Sequence, residues 1–356
     1  METNRKKDIR ALTKEELQEF FVNNSAPSFK GVQVYQWLWQ KGIHSFDLMT
    51  NLSLAHRDLL KSHFEINHIN IDLQQRSTDG TIKNVVKLHD QYAVESVLIP
   101  TSTRTTACVS SQVGCSLDCT FCATAALKRM RNLHADEIYD QVVAMNLQSK
   151  LYHNRPLSNI VFMGMGEPLM NYNNVKAAIE KITDPEGLAM SPRRIVLSTS
   201  GIPKMIRKMA DDQVRFGLAV SLHSARQEVR EQMMPFAKKF TLVELTEALE
   251  YWFAYSRKPV TFEYVVWEGI NDTEQDIIAL IRLCKRIPSK VNIIQYNPID
   301  NATFHQAAQS EVDQYIDALT KARIPVTYRR SRGSDIDAAC GQLANKLENS
   351  QTPNKL

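Results

Sequence analysis

Cys115-Ser-Leu-Asp-Cys119-Thr-Phe-Cys122 sets three thiols at Cys-x3-Cys-x2-Cys spacing, directly after a strand-like run. Three thiolates on one tight loop can each take a separate iron of a cubane cluster. Such clusters usually take four cysteines, so three leave one iron open to an exchangeable ligand. An open, low-potential iron can bind a substrate and pass it an electron. The competing reading is structural zinc, which wants four ligands, commonly in paired Cys-x2-Cys units. Only one such pair is present, and Cys108 or His134 would have to complete the set. Four of the six cysteines lie between 108 and 122. That clustering points to metal or redox chemistry rather than a disulfide framework.

Other chemistry-bearing residues recur at the ends of strand-like runs: Met163-Gly-Met-Gly-Glu-Pro168, Ser198-Thr-Ser-Gly201, Ser221-Leu-His-Ser224 and Tyr296-Asn297-Pro298. Glycines such as Gly166 let a backbone approach a ligand closely. Taken singly, His223 reads as a satisfied core histidine and Cys340 as a packing thiol. Cys284, mid-helix in Leu280-Ile-Arg-Leu-Cys284, reads as core. From Tyr92 to Ile99 polar and apolar residues alternate, so Glu95 shares a face with Val97 and Ile99. A carboxylate there is either an edge residue turned to solvent or a group of raised pKa with a task.

The elements that must position these residues alternate strand and helix. Strands are expected near 107–113, 159–164, 194–199, 216–222, 260–266, 291–296 and 325–330. Amphipathic helices are expected over 136–151, 242–255, 274–286 and 311–322. Strands separated by helix-length segments imply parallel βαβ units. Six or seven suit a partial or complete barrel, whose chemistry sits at the C-terminal strand ends. Residues 1–65 read as a helical accessory domain. Thr13 and Glu16 form a capping-box pattern, Val34, Trp37 and Leu38 are the apolar positions of a second helix, and Gly42 stops it. Residues 66–100, with a turn at Asp79-Gly80, read as a β-hairpin linker region, 101–345 as the barrel and 346–356 as a disordered tail.

Of the 356 residues, 43% are hydrophobic, enough for one barrel-sized domain and a small extra one. No run of about 18 apolar residues exists, and the N-terminus lacks a secretory apolar region. A cytoplasmic protein with no membrane partner is therefore expected. Lys plus Arg number 43 against 39 acidic residues, a net charge of +4 too small to argue nucleic-acid binding alone. The basic residues cluster at Lys128, Arg129 and Arg131; Arg193 and Arg194; Lys238 and Lys239; and Arg329, Arg330 and Arg332. Most such runs are solvated faces.

The aromatic Phe121 between the last two cysteines makes the loop resemble the radical S-adenosylmethionine (SAM) signature. The stretch Cys108–Cys122, Arg131-Asn132-Leu133, Met163–Pro168, Ser198–Gly201, Ser221–Ser224 and Ala338-Ala-Cys-Gly-Gln-Leu343 together resemble the RlmN/Cfr family of RNA methyltransferases. The likeness covers nearly the whole chain, Trp37 and Gly42 included, and Glu167-Pro168-Leu169 is closer to the RlmN branch. Relatives often carry glycines after the third cysteine, where this chain has Thr124-Ala-Ala-Leu-Lys128.

This resemblance implies an α/β fold, a partial (β/α) barrel of the radical SAM type with a small N-terminal helical domain. It implies a [4Fe–4S] cluster on Cys115, Cys119 and Cys122, and two SAM molecules per turnover. The implied reaction is methylation of C2 of adenine 2503 in 23S ribosomal RNA (rRNA), with adenine 37 of some transfer RNAs (tRNA) as a second target. In the implied roles Cys340 carries the methyl group, Cys108 resolves the adduct leaving a Cys108–Cys340 disulfide, and Glu95 is the general base. Gly166, Glu167, Ser198, Ser221, Leu222, His223 and Asn297 match SAM contacts. An electron donor such as flavodoxin, a monomeric state, and an RNA grip by the N-terminal domain and basic clusters complete the expectation. The alternatives are Cfr-type methylation at adenine C8 and a non-catalytic, zinc-stabilised RNA-binding protein.

Overall fold

The computed structural model describes residues 6–300 and 303–344; the expected tail, 346–356, lies outside the described residues. Among the described residues, ten strands form one mixed sheet whose spatial order follows the chain. They are β1 (Asn70–Arg76), β2 (Ile82–Lys87), β3 (Ala93–Pro100), β4 (Thr105–Cys108), β5 (Asn159–Phe162), β6 (Ile195–Thr199), β7 (Gly217–Ser221), β8 (Val260–Val265), β9 (Ser289–Ile294) and β10 (Val326–Arg329). From β4 to β10 all neighbours pair in parallel. The crossovers contain Ala135–His153, Tyr172–Thr183, Pro203–Asp211, Leu242–Ser256, Glu274–Arg286 and Gln309–Lys321. Parallel strands need such long returns, and helices on the outer face bury the apolar runs of β5 to β9. β1 and β10 remain the two edges, so the barrel is partial.

Three differences from expectation have local causes. The strand expected over 107–113 ends at Cys108. Val109 still donates to the Val161 carbonyl at 3.0 Å, but the Ser110 amide donates to Gln141 Oε1 at 2.9 Å and leaves the ladder. Gln112 and Val113 then pair separately with Asn132 and Arg131. The expected hairpin linker instead extends the sheet, because β3 pairs antiparallel with β4 as well as with β2. β3 is consequently buried on both faces, and its alternation no longer separates inside from outside.

The N-terminal helices are Lys14–Asn23, Phe29–Trp39 and Leu54–His63. Thr13 caps the first by the expected reciprocal bonds, Glu16 N–H to Oγ1 at 3.1 Å and Thr13 N–H to Glu16 Oε2 at 2.7 Å. Such a cap contributes about 1 kcal/mol. Trp39, not Trp37, is the core indole of the second helix, stacked edge-on against Tyr139 at 5.0 Å. Arg10 is buried and reaches Asp140 at 2.7 Å and Asp136 at 2.9 Å on the first barrel helix. Breaking a buried pair of this kind costs about 3–5 kcal/mol. The helical unit therefore shares the barrel's core, and removing it would uncover apolar surface.

Candidate active site

The strand ends converge on a cleft with about 170 Å³ of open space. Each expected motif arrives on a different loop. Cys115, Cys119 and Cys122 follow β4; Gly166 and Glu167 follow β5; Ser198 closes β6; Ser221 and His223 close β7; Asn297 follows β9; and Cys340 follows β10. All of these line the cleft. Leu222 does not: its side chain is in the core, and its amide and carbonyl are taken by Glu263 O and Arg230. It supports the loop rather than walling the cleft.

The three cluster cysteines are half-buried. Burial pushes the Cys115 thiol up to about 11 and Cys119 well above its ordinary range, and each is raised further by its sulfur neighbours. A bound cationic group would favour the thiolate forms. Among the described residues no three His, Cys, Asp or Glu side chains converge on a single ion position. Structural zinc requires that convergence, whereas in a cubane each thiolate binds its own iron. His134 heads a helix beside His89 and does not line the cleft, and Cys108 is buried elsewhere. The residues present thus fit a cluster with one open iron. Cys119→Ala should reduce iron from about four per chain to background; iron analysis after anaerobic reconstitution checks this, and stoichiometric zinc without iron would refute the cluster.

The alanine-rich stretch after Cys122 forms a short helix, Ala123–Ala126, in place of a glycine loop. Its Ala123 amide donates to Gly341 O at 2.8 Å, and Thr124 Oγ1 donates to Leu343 O at 2.6 Å. Asn297 Nδ2 donates to the Cys340 carbonyl at 3.3 Å. The segment bearing Cys340 is therefore tied to the cluster loop by its backbone, leaving its thiol exposed.

Gly166 has φ +94°, and a Cβ there would meet Gln112 Cβ at 2.5 Å. That close approach lets Glu167 N–H donate to Gln112 Oε1 at 2.9 Å. The Glu167 carboxylate accepts from Ser200 N–H at 2.8 Å and Leu169 N–H at 3.0 Å. Burial raises its pKa and these amides oppose the rise. The carboxylate is aimed by backbone and suits a ligand ammonium. His223 adopts a left-handed φ of +57°. Its Nδ1 accepts from Val265 N–H at 3.2 Å, and burial lowers its pKa to about 3, with Arg230 adding to the effect. The ring is thus neutral, with its proton on Nε2. Phe121 packs edge-on to it at 4.9 Å, so the aromatic of the cysteine motif braces the β7 loop.

Three supporting residues escaped the sequence reading. Arg230 is fully buried and donates to the carbonyls of Ser200, Ser221 and Leu222, stapling two ligand loops together. No spacing marked it, since its partners are backbone atoms. Gln112 links Glu167 N–H to Asn132 Oδ1, the latter at 2.8 Å. Glu263 lines the cleft, accepting from Asn292 Nδ2 at 2.9 Å and pairing with Arg329 at 3.3 Å. The signal that singled out Glu95, a carboxylate within an apolar strand, is equally present in Val260–Val265.

Cys108 lies behind Cys340, and both line a smaller adjoining cavity with Arg329 and Met163. A resolving cysteine has to be reachable and able to ionise, yet Cys108 is buried. Burial, then the neighbouring Cys340, push its thiol up to about 12, while Met163 N–H and Arg329 oppose the rise. Glu95 is buried as well. Its Oε1 lies 3.5 Å from Lys83 Nζ, and its Oε2 accepts from Ala344 N–H at 2.8 Å. It sits on β3, beside the Cys340 segment and outside the cleft lining.

The radical SAM superfamily model matches residues 109–282, and the ribosomal RNA large subunit methyltransferase N-terminal domain matches residues 7–66. The chain is 67% identical over 342 residues to a probable dual-specificity RNA methyltransferase RlmN of Christiangramia forsetii, covering 96% of this chain and 97% of that protein. It is 42% identical over 344 residues to the dual-specificity RNA methyltransferase RlmN of Geotalea uraniireducens, covering 96% and 98%. A crystal structure of a radical SAM methyltransferase from Sphaerobacter thermophilus superposes with a TM-score of 0.89 at 35% identity, covering 95% and 99%. Cleft, cluster loop and these likenesses agree: the chain belongs to the RlmN family of radical SAM RNA methyltransferases, which use a [4Fe–4S] cluster and SAM.

Proposed function

We propose that this protein methylates C2 of adenine 2503 in 23S rRNA, and adenine 37 of some tRNAs, through a methyl group carried on Cys340. The observation that supports this best is the exposed Cys340 thiol in the cluster cleft, with a second thiol, Cys108, directly behind it. An aromatic C2–H is neither acidic nor nucleophilic, so direct displacement at SAM cannot methylate it. The bound cluster and SAM supply a methyl cation equivalent in one step and a hydrogen-abstracting radical in another.

Access decides which thiol is methylated. Cys340 faces the cleft, whereas Cys108 is buried and its thiol is pushed up to about 12. Thiolate is the nucleophile, and the Arg329 guanidinium favours the ionised form of Cys340. Once the methyl carbon bridges Cys340 and the adenine, the base removes the C2 proton; we assign this to Glu95. Cys108 then gives up its proton and attacks the Cys340 sulfur; the carbon leaves on adenine and takes a proton to become the methyl group, the surplus electron would pass to the bound cluster, and a Cys108–Cys340 disulfide remains for a reductant to open.

The N-terminal unit offers cation-capped rings to RNA, with Lys41 Nζ 3.4 Å from the Trp37 ring and Lys30 Nζ 4.9 Å from the exposed Phe29 ring. Arg330 and Arg332 are exposed beside the Cys340 segment, where phosphates flanking the target would lie. Arg193 and Arg194 precede β6, at the opposite end of the sheet, and do not belong to this face. Mass spectrometry of rRNA nucleosides from cells with and without the gene tests the reading. Loss of 2-methyladenosine on deletion supports it. Loss of 8-methyladenosine instead would establish the Cfr-type reaction, and no loss would reject methylation of this RNA.

A further inference from the structure

The cluster loop meets solvent on one flank. Ser116, Asp118 and Thr120 are exposed while Cys115, Cys119 and Cys122 are half-buried. Two segments clamp this flank. On one side Thr120 donates to Met233 O from both its amide and its hydroxyl at 3.0 Å, and Asp118 Oδ1 accepts from Phe236 N–H at 3.0 Å. Two residues on, Lys238 and Lys239 are exposed. On the other side Cys115 bridges to Lys128, and Gly114 passes so close that a Cβ would lie 2.4 Å from Lys128 O. Lys128 and Arg129 are exposed there, followed by Met130 at 55% exposure.

Four exposed cations therefore stand on the two segments that flank the cysteine loop. Among the described residues no carboxylate forms an ion pair with any of them, and the one acidic residue at the centre, Asp118, is already bonded to backbone. The Cys340 segment touches the loop elsewhere, at Ala123 and Thr124. In the proposed reaction, RNA seated on Cys340 would meet the loop at this other end.

We infer that Lys128, Arg129, Lys238 and Lys239 form the docking surface for an acidic, one-electron donor protein that reduces the cluster. The inference rests on the cluster and holds whichever adenine carbon is methylated. The step moves one electron and no atoms: the donor is oxidised by one electron and the cluster reduced by one. Electron transfer weakens steeply with distance, so the donor must sit over Ser116–Thr120. Complementary charge raises the rate of such encounters by 10-fold to about 1,000-fold, and the gain falls with salt.

The test uses reduced flavodoxin as the donor and the full-length protein with its cluster reconstituted. Stopped-flow absorbance follows cluster reduction, and calorimetry follows flavodoxin binding with no turnover. Lys238→Glu/Lys239→Glu and Lys128→Glu/Arg129→Glu should each lower the second-order rate at least 10-fold and abolish measurable binding. Iron content, reduction by dithionite and RNA affinity should stay unchanged. Unchanged flavodoxin rate and binding would overturn the assignment, and so would a selective loss of RNA affinity, which would give this surface to RNA. Should a charge-reversed variant lose iron, the salt series on the wild-type protein decides: reduction by flavodoxin must slow at least 10-fold between low and high salt, and a flat series rejects the proposal.

Discussion

Cys108→Ala protein should leave cells covalently joined to RNA, with turnover falling to at most one event per chain. The bond between Cys340 and adenine in the proposed intermediate is a thioether, which water does not readily hydrolyse. A second thiolate must break it, and Cys108 is the other thiol lining the cavity behind Cys340. Its removal leaves the three cluster cysteines and Cys340 in place, so SAM cleavage and Cys340 methylation should persist. The observed burial strengthens this expectation. Buried behind Cys340, Cys108 does not compete with it for the methyl group of SAM, and its thiol has to lose its proton only when it attacks the adduct. The adduct should survive denaturing gels and vanish on nuclease treatment. Cys340→Ala should give no adduct, and the double variant should behave like Cys340→Ala. A Cys108→Ala protein that is free of RNA and turns over normally would remove Cys108 from the mechanism.

How legible this site was depends on whether a residue's partners are side chains in a motif or atoms of a distant backbone. The cluster cysteines, Gly166, Glu167, Ser198, Ser221, His223 and Asn297 each stand at a strand end, and parallel strands bring their ends together. Leu222 shows the limit of that rule, because adjacent residues on a loop alternate between cleft and core. Trp37 and Trp39 show another. Helical periodicity alone did not reveal that the N-terminal unit packs on Tyr139, which makes Trp39 the buried indole. The extension of the sheet by β1, β2 and β3 was read as a linker because hairpin pairing is local, while the β3–β4 pairing that joins it to the barrel is a tertiary contact. That one misreading also hid what surrounds Glu95.

The antiparallel extension explains how Cys340 is presented. The segment after β10 crosses back to the hairpin, where Thr78 donates to Asp335 Oδ2 from its amide at 3.1 Å and its hydroxyl at 3.3 Å. Gly333 N–H donates to Asp79 Oδ2 at 3.0 Å, and buried Lys83 donates to Asp337 O at 3.4 Å. Glu95 takes the outgoing end through Ala344 N–H. The carboxylate holds the segment, and in the proposed mechanism it also removes the adenine proton. Glu95→Gln separates the two. An amide oxygen still accepts from Ala344 N–H, but it cannot take a proton. Methylation of Cys340, measured by mass spectrometry of protein incubated with SAM and reductant without RNA, should change by no more than a few-fold. Formation of methylated RNA should fall about 100-fold to 10,000-fold, the usual range for a lost general base, with the RNA adduct accumulating. Glu95→Ala, which also frees Ala344, should slow both steps. Equal losses in Glu95→Gln would make Glu95 a positioning residue alone, and an unimpaired RNA product would take the base role from it altogether.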